Sequence, residues 1–244
     1  MSEESPADLT GKVAVVTGGG SGIGAAIVSG LEAAGVTCHA LGRRGPVSVD
    51  VSDQAAVQRF FDSLERIEIL VCAAADNVPA RRLEQLTPEV WNHLIAVNLS
   101  GAFYCVNAAL QKLRRGPGDV VFIASVSGQW PDVSGPAYQA GKAGMIALAR
   151  AAGFEEHANG VRFSVINPGV VDTPMMLKRP VPPPAEVAAA MLHPADVAQA
   201  CLFLLRLPRR AHIPELTILP TALQALGKTG VANPEPATAA IQRS

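Results

Sequence analysis

The sequence predicts a single α/β domain with a doubly wound parallel β-sheet and helices on both faces. Strand-like and helix-like segments alternate from Lys12 to Leu219, which is the pattern of such a sheet. Of the 244 residues, 49% are hydrophobic and 17% are charged, as expected when parallel strands are buried on both faces. A glycine-rich turn lies between the first strand and the first helix. Together these observations predict a Rossmann-type domain.

Each predicted strand is a short apolar run, and each predicted helix is a longer segment between two such runs. In chain order, the strands are predicted at residues 12–17, 36–41, 47–49, 67–72, 119–124, 161–166 and 215–219, and the helices at 22–34, 53–66, 88–113, 136–157 and 194–205. The proline-rich segment 178–184 interrupts both patterns. It is therefore predicted to be a loop that covers a site.

Tyr138 and Lys142 stand four residues apart in a predicted helix, so their side chains share one face. A tyrosine has an ordinary pKa of about 10, and a neighbouring ammonium lowers that pKa because it stabilises the phenolate. Ser125 ends an apolar strand, where its hydroxyl can donate a hydrogen bond to a reacting oxygen. Ligands bind at such strand ends in open α/β sheets. The three residues therefore predict a proton-transfer site.

The turn after the first strand reads Thr17-Gly18-Gly19-Gly20-Ser21-Gly22-Ile23-Gly24. Glycines let the backbone approach a pyrophosphate closely, and the following helix presents unpaired N–H groups and the positive end of its dipole. The alternative is a flexible loop without a ligand. Placed between the first strand and the first helix, the turn predicts a dinucleotide site.

Two arginines, Arg43 and Arg44, follow the second strand. An acidic residue near this point binds the ribose 2′-hydroxyl of NAD, whereas an arginine accommodates the 2′-phosphate of NADP. The arginines therefore favour NADP(H), with NAD as the alternative if both side chains face solvent. Asp50, after the third strand, is either an adenine contact or a cap for the next helix.

With these motifs in view, the chain resembles the short-chain dehydrogenase/reductase family from Leu9 to about Thr221. The glycine-rich turn matches the family's T-G-x-x-x-G-x-G, Asn167-Pro168-Gly169 matches its motif after the sixth strand, and the active-site tetrad maps onto Asn98, Ser125, Tyr138 and Lys142. The resemblance implies that Tyr138 exchanges a proton with the carbonyl oxygen, which Ser125 polarises. It implies that Lys142 holds the nicotinamide ribose and lowers the pKa of Tyr138, and that Asn98 anchors a water linking Lys142 to solvent.

The resemblance also implies a set of cofactor contacts along one edge of the sheet. They are Thr17, Gly18, Ser21, Gly22, Ile23, Gly24, Arg43, Arg44, Asp50, Val51, Ala74, Tyr138, Lys142, Pro168, Gly169, Val171 and Thr173. The implied function is interconversion of a ketone and a secondary alcohol with NADP(H). The alternatives are an NAD-dependent secondary-alcohol dehydrogenase and a nucleotide-binding protein that keeps the fold without catalysis.

The sequence departs from the family pattern on the adenosine side. The family's N-N-A-G stretch reads Cys72-Ala73-Ala74-Ala75, and the interval 44–50 leaves no room for a helix between the second and third strands. These changes bear on cofactor affinity rather than on the chemistry.

The stretch between Ser125 and Tyr138 is expected to lie over the reacting carbonyl. Candidate substrate contacts are Gln129, Trp130 and Val133, with Met175 and Met176 from the other side. They alternatively pack the loop. If they line the pocket, it is apolar and suits a neutral ketone or secondary alcohol. The loop residues Arg81, Arg82, Lys178 and Arg179 are interpreted as solvated charges, with binding of an acidic substrate as the alternative.

Composition excludes several classes. The net charge of -1 gives no footprint for nucleic acid, the histidines lack metal-ligand spacing, and no apolar run reaches the roughly 20 residues of a membrane span. The four cysteines suit reduced thiols in a cytoplasmic protein, and residues 1–8 do not form a signal peptide. We expect a flexible N-terminus at 1–10, a nucleotide-binding domain at 11–226 with a substrate loop at about 170–194, and a mobile tail at 227–244.

The resemblance further implies a homodimer or homotetramer built through the helices at 88–113 and 136–157. The second helix carries small and apolar residues that suit close helix packing, namely Ala143, Gly144, Ile146, Ala147 and Ala151. The alternative is that this stripe belongs to the core.

Overall fold

The structure, a computed structural model, describes residues 7–43 and 47–223. In this part of the chain one sheet contains seven parallel strands in the order β3-β2-β1-β4-β5-β6-β7. The strands are β1 Val13–Thr17, β2 Thr37–Gly42, β3 Val47–Ser48, β4 Ile69–Cys72, β5 Asp119–Ile123, β6 Arg162–Pro168 and β7 Glu215–Ile218. The α-helices are α1 Gly22–Ala33, α2 Gln54–Asp62, α3 Pro88–Ile95, α4 Gly101–Leu113, α5 Pro136–Glu156, α6 Ala185–Ala189 and α7 Pro194–Leu205. The predicted doubly wound parallel sheet is confirmed.

The central strands are apolar along their whole length because both of their faces are covered. All residues of β4 and β5 are buried. One core cluster joins alternate strand residues such as Val15 and Phe122 to α2, α4 and α5, and a second joins residues such as Val16 and Ile69 to α1 and α7. Chain order reverses between β1 and β4, and ligands bind at the carboxyl ends of strands at such a reversal.

The predicted long helix at 88–113 is interrupted. A π-helical turn, Ala96–Ser100, separates α3 from α4, and Asn98 lies at its centre with its side chain fully buried. Such turns occur frequently at functional sites because the extra residue redirects a side chain. Here the turn aims Asn98 at the carboxyl edge of the sheet.

Within the described chain, the segment Pro88–Leu113 contains an 18-residue window with a mean hydropathy of 1.3, which gives it the length and composition of a membrane span. The prediction that no apolar run reaches the length of a span concerns uninterrupted runs, and polar residues such as Asn92, Asn98 and Asn107 interrupt this segment. Leu94, Cys105, Ala109 and Leu113 of this segment are buried, and Cys105, Ala109 and Leu113 pack in the core beneath the sheet. Core helices of globular proteins share these properties.

Of the two predicted terminal segments, residues 1–6 and the whole of 227–244 lie outside the described residues. Residues 7–10, which were expected to be flexible, are held against the domain: Leu9 is buried and the Ala7 N–H donates to the Arg206 carbonyl. In the predicted substrate loop at 170–194, Val171 pairs with Leu192, and α6 adds a short helix that periodicity did not reveal.

Candidate active site

The glycine-rich turn requires glycine at four positions for steric reasons, and at Gly19 a Cβ would lie 2.9 Å from the Ala40 Cα. Gly18 and Gly22 have positive φ, and a Cβ at Gly18 would lie 2.9 Å from the Ala74 Cα. A Cβ at Gly24 would lie 2.3 Å from the Gly18 carbonyl oxygen. Because no side chain intervenes, the turn packs tightly onto the start of α1.

The N-terminus of α1 is open. Ser21 is its N-cap residue but makes no capping hydrogen bond with its side chain, and the first turn, which includes Ile23, holds no acidic residue. The first N–H groups of a helix have no partner within it, and they sit at the positive end of its dipole. The turn therefore offers a site for an anion such as a pyrophosphate.

Thr17, one of the predicted cofactor contacts, supports the segment after β4. Its side chain is buried, and its hydroxyl accepts hydrogen bonds from the Ala73 and Ala74 N–H groups at 3.1 Å each. The segment after β4, which lacks the family's two amides, is thus held through its backbone.

The ends of β2 and β3, where the adenosine of a dinucleotide is predicted to lie, carry both positive and negative side chains. Arg43, which has an exposed side chain, lies 4.0 Å from the Asp76 carboxylate, and Arg44 lies outside the described residues. Asp50 accepts hydrogen bonds from the Ser52 N–H and hydroxyl. These bonds and the positive charge of Arg43 lower the pKa of Asp50. The cap of α2 is Asp53, so Asp50 is free of that role. Val51 is buried against Gly101.

Ser125 and Tyr138 are brought together, as predicted. Their hydroxyls are hydrogen-bonded, and both residues line one cleft at the carboxyl edge of the sheet. Burial raises the pKa of Tyr138 to about 12, and the hydrogen bond with Ser125 opposes that rise. The expectation of a lowered pKa at Tyr138 was therefore wrong, because burial outweighs the favourable interactions.

Lys142 is buried on the same helix. Its Nζ donates to the Ile123 carbonyl at 2.8 Å and lies 5.8 Å from the centre of the Tyr138 ring. Burial lowers the pKa of Lys142 to about 8. The ammonium is thus near the ring of Tyr138, while its hydrogen bond goes to the backbone of β5.

Asn98 supports the segment after β4. Its Oδ1 accepts from the Asp76 N–H at 3.0 Å, and its Nδ2 donates to the Asp76 carbonyl at 2.9 Å. A Cβ at Gly141 would lie 2.9 Å from the Asn98 Cβ, so the π-helical turn contacts α5 directly. Asn98 therefore connects the segment after β4 to the π-helical turn, which packs on α5, the helix of Tyr138 and Lys142.

A chain of hydroxyls ends at a carboxylate that the sequence did not single out. The Ser125 hydroxyl donates to Ser127 Oγ at 3.1 Å, and the Ser127 hydroxyl donates to Asp132 Oδ2 at 2.6 Å. Asp132 also accepts from the Ser134 N–H at 2.6 Å. A signal was present, since Asp132 and Ser134 flank Val133 as Ser125 and Ser127 flank Val126. Spacing alone does not reveal that they point inward.

The cleft is open to solvent on one side and has a cavity volume of about 70 Å³. Its lining includes Asn77, Arg81, Ser125, Ser127, Ser134, Tyr138, Gly169, Val170, Val171, Met175, Met176 and Arg179. Met175 and Met176 line it as predicted. Of the other substrate candidates, each of which is described, Gln129, Trp130 and Val133 lie outside this lining, and Gln129 accepts a hydrogen bond from Thr217.

The loop charges differ from the predicted solvated set. Arg82 is exposed as expected, but Arg81 is only 8% exposed and Arg179 is half-buried. Lys178 forms an ion pair with Asp76, which also lies 3.1 Å from His93 Nε2. The cleft is therefore more polar than the sequence suggested.

The segment 169–179, which follows β6 and is called the strap, completes the carboxyl edge of the sheet. Gly169, which follows Pro168, donates its N–H to Ile218 of β7, and Val171 is buried. The Thr173 methyl would lie 3.3 Å from a Cβ at Gly22, so this strap sits over the glycine-rich turn. In the described chain, no group of three or more His, Cys, Asp or Glu side chains is placed to hold a metal ion.

Comparison with known proteins gives consistent matches. The family model described as short chain dehydrogenase matches residues 43–181. An uncharacterized oxidoreductase of Staphylococcus haemolyticus is 28% identical over 235 residues, which cover 87% of this chain and 99% of that protein. The cis-4-hydroxycyclohexanecarboxylate dehydrogenase of Sinomonas cyclohexanicum is 31% identical over 220 residues, which cover 79% of this chain and 88% of that protein.

Two solved structures share the fold. The alcohol dehydrogenase of the archaeon Thermococcus sibiricus, complexed with 5-hydroxy-NADP, matches with a TM-score of 0.76 and 28% identity, covering 88% of this chain and 98% of that one. The ligand-free aldohexose dehydrogenase of Thermoplasma acidophilum matches with a TM-score of 0.81 and 23% identity, covering 92% and 99%. At that identity the second likeness establishes the fold alone.

Proposed function

The chain belongs to the short-chain dehydrogenase family, and from this premise we propose that it interconverts a ketone and a secondary alcohol with NADP(H). As a member it is an oxidoreductase that acts on CH–OH groups. The observation that carries the proposal is the pairing of Ser125 with Tyr138 in a cleft beside an open helix N-terminus. The ring alcohol named for the Sinomonas relative supports a secondary alcohol as substrate.

The residues at the edge of the sheet fit a dinucleotide. Gly18 and Gly22 leave room for a close backbone approach, and the uncapped N–H groups of α1 suit the pyrophosphate. Thr173 lies over the turn, and Asp50 and Arg43 stand at the adenosine end. When bound, the nicotinamide supplies or accepts the hydride.

The protein's own residues hold and move the proton. Tyr138, whose raised pKa keeps its hydroxyl protonated at neutral pH, donates that proton to the carbonyl oxygen during reduction. When the substrate binds, the Ser125 hydroxyl turns from Ser127 Oγ and donates a hydrogen bond to the same oxygen, while Ser127 stays bonded to Asp132. Lys142 holds a positive charge beside the phenol and stabilises the phenolate left after transfer.

We predict that the protein binds NADPH about 10- to 100-fold more tightly than NADH, because one charge-assisted arginine–phosphate interaction contributes that much. Replacing Arg43 by Ala removes this preference and leaves NADH affinity unchanged. Titration of each cofactor, followed by nicotinamide fluorescence, measures both constants without any knowledge of the substrate. Arg59→Ala, an exposed arginine on α2, is the matched control.

An NAD-dependent secondary-alcohol dehydrogenase is the second candidate. The observation that favours it is the Asp76 carboxylate, which lies 4.0 Å from Arg43 and competes with a 2′-phosphate for its charge. Tighter binding of NADH, unchanged in Arg43→Ala, would establish this alternative and overturn the NADP(H) assignment.

We also propose a homodimer or homotetramer that works in the cytoplasm; the buried thiols of Cys72, Cys105 and Cys201 suit a reducing compartment. On α5, Ala143, Ala147, Ala151 and Phe154 form an exposed apolar stripe, with Phe154 79% exposed. Ile146, by contrast, is buried in the core, and Gly144 packs on Leu99.

Sedimentation velocity is expected to show an oligomer, and Phe154→Asp is expected to shift it toward the monomer because it places a charge in an apolar contact. Leu83→Asp, at an equally exposed leucine outside α5, is the control that should leave the assembly unchanged. A wild-type protein that sediments as a monomer at micromolar concentration would rule out this proposal.

A further inference from the structure

Two arginines share the cleft with the reacting hydroxyls. Arg81 and Arg179 both line it, together with Ser125 and Tyr138. Arg81 follows β4, and its backbone packs against Gly135 at the start of α5, where a Cβ would lie 2.3 Å from the Arg81 carbonyl oxygen. The backbone of Arg81 is thereby fixed beside the helix that carries Tyr138.

The Arg81 side chain is also held by hydrogen bonds to two backbone carbonyls. Its Nε donates to the Val78 carbonyl at 2.8 Å, and its Nη2 donates to the Lys178 carbonyl in the strap after β6. Both bonds use only part of the five-donor fork of a guanidinium. Arg81 therefore has a fixed position and further N–H groups on the same planar head.

The charges around the two arginines leave an excess of positive charge. Burial, followed by the neighbouring charge of Arg179, lowers the pKa of Arg81, so the two guanidiniums lie close enough to repel each other. Burial also lowers the pKa of Arg179, and the carboxylate of Asp132 acts on both in the opposite direction. Two cations thus face one anion, while Lys178 is paired with Asp76.

We propose that Arg81 and Arg179 form an anion subsite and that the substrate is an oxo acid or hydroxy acid whose carboxylate binds there. This inference rests on the proposed function, since it names the substrate class of the same cleft. Guanidinium groups bind carboxylates through two parallel charge-assisted hydrogen bonds. The apolar wall of Val170, Met175 and Met176 then contacts the carbon skeleton between the carboxylate and the carbonyl.

The test compares oxo acids with their neutral isosteres. Pyruvate, levulinate, acetylbutyrate and oxocyclohexanecarboxylate, each paired with its primary amide, are assayed for oxidation of NADPH and NADH. For the acids that fit, we expect kcat/KM to exceed that of the amide by about 10- to 100-fold, the effect of one charge-assisted contact. Arg179→Gln should lower kcat/KM for the acid by a similar factor, mainly through KM, and leave the amide unchanged.

Two further variants separate recognition from folding. Arg82→Gln, which changes an exposed arginine next to Arg81, should have no effect on either compound. Arg81→Lys keeps the positive charge and loses the paired N–H donors of the guanidinium. It should therefore lower kcat/KM for the acid more than for the amide, while the thermal midpoint of unfolding stays near that of the wild type. Equal effects of Arg179→Gln on acid and amide, or amides preferred across the panel, would overturn the subsite.

A binding measurement distinguishes failure of this inference from failure of the proposed function. Calorimetric titration of each acid and amide into the cofactor-loaded protein requires no turnover. Acids that bind more tightly than amides, with the difference lost in Arg179→Gln, support the subsite even if no compound is reduced, in which case the proposed reduction of ketones with NADP(H) is what fails. Acids that bind no better than amides contradict the subsite, whatever the turnover.

Discussion

Replacing Tyr138 by Phe is expected to lower kcat for carbonyl reduction by about 1,000-fold, within the range of 100- to 10,000-fold that a general acid contributes. The variant keeps the ring and loses only the hydroxyl that is hydrogen-bonded to Ser125. The cofactor dissociation constant should therefore change little, and stability should fall by no more than about 1 kcal/mol. Tyr104→Phe, which changes the other tyrosine of the chain, is the matched control and should keep full activity.

The pH dependence of the wild-type enzyme provides the second readout for Tyr138. With a pKa of about 12, the hydroxyl stays protonated across the usual assay range, so reduction should not decline through loss of this proton. Oxidation needs the phenolate, and its rate should rise about tenfold per pH unit up to about pH 10. A Phe variant that retains activity would contradict the assignment of Tyr138 as the proton donor, whereas an oxidation rate that levels off near neutral pH would contradict the raised pKa.

The fold could be predicted because its determinants are local. Strands buried on both faces must be apolar along their whole length, so β4 and β5 are visible as short runs of Val, Ile and Leu. The glycine-rich turn is equally visible, since only glycine tolerates the contacts at Gly18 and Gly24. The π-helical turn at Ala96–Ser100 could not be predicted, because it interrupts a segment whose composition remains helical on both sides.

The members of the active site were predicted better than their electrostatics. Ser125 and Tyr138 meet because a strand end and the first turn of α5 lie at the same edge of the sheet. The direction of the Tyr138 pKa shift depends on how many atoms surround the phenol, and residue spacing carries no information on that. Burial raises this pKa and lowers that of Lys142. Both shifts disfavour the charged form, so the phenol of Tyr138 carries its proton at neutral pH.

The charged lining of the cleft was the least predictable part. Arg81 and Arg82 are adjacent and chemically identical, yet one is buried and the other is exposed. The difference comes from contacts distant in sequence, since Arg81 packs against Gly135 and donates to Lys178. Asp132 is similar, because its neighbours become a hydrogen-bonded chain only when the loop folds over Ser125. The substrate class therefore has to be inferred from tertiary structure.

Replacing Gly24 by Ala is expected to weaken NADPH and NADH binding by about 100-fold each. The new Cβ would lie 2.3 Å from the Gly18 carbonyl oxygen, a distance that backbone atoms cannot accept, so the turn must move away from α1. A displacement of about 1 Å is enough to cost such a factor, because it separates the N–H groups of α1 from the position of the pyrophosphate. The same strain should reduce the free energy of unfolding by about 1–3 kcal/mol.

The measurement for Gly24 is the titration of both cofactors, with thermal unfolding recorded for each variant. Gly116→Ala is the matched control, because a Cβ at Gly116 meets no atom within 4 Å and its φ is not positive. Since the strain acts on the shared pyrophosphate rather than on the 2′-phosphate, both cofactors should lose affinity equally, unlike the selective effect expected for Arg43→Ala. A Gly24→Ala protein that folds and binds either cofactor with wild-type affinity would show that the dinucleotide does not lie on this turn.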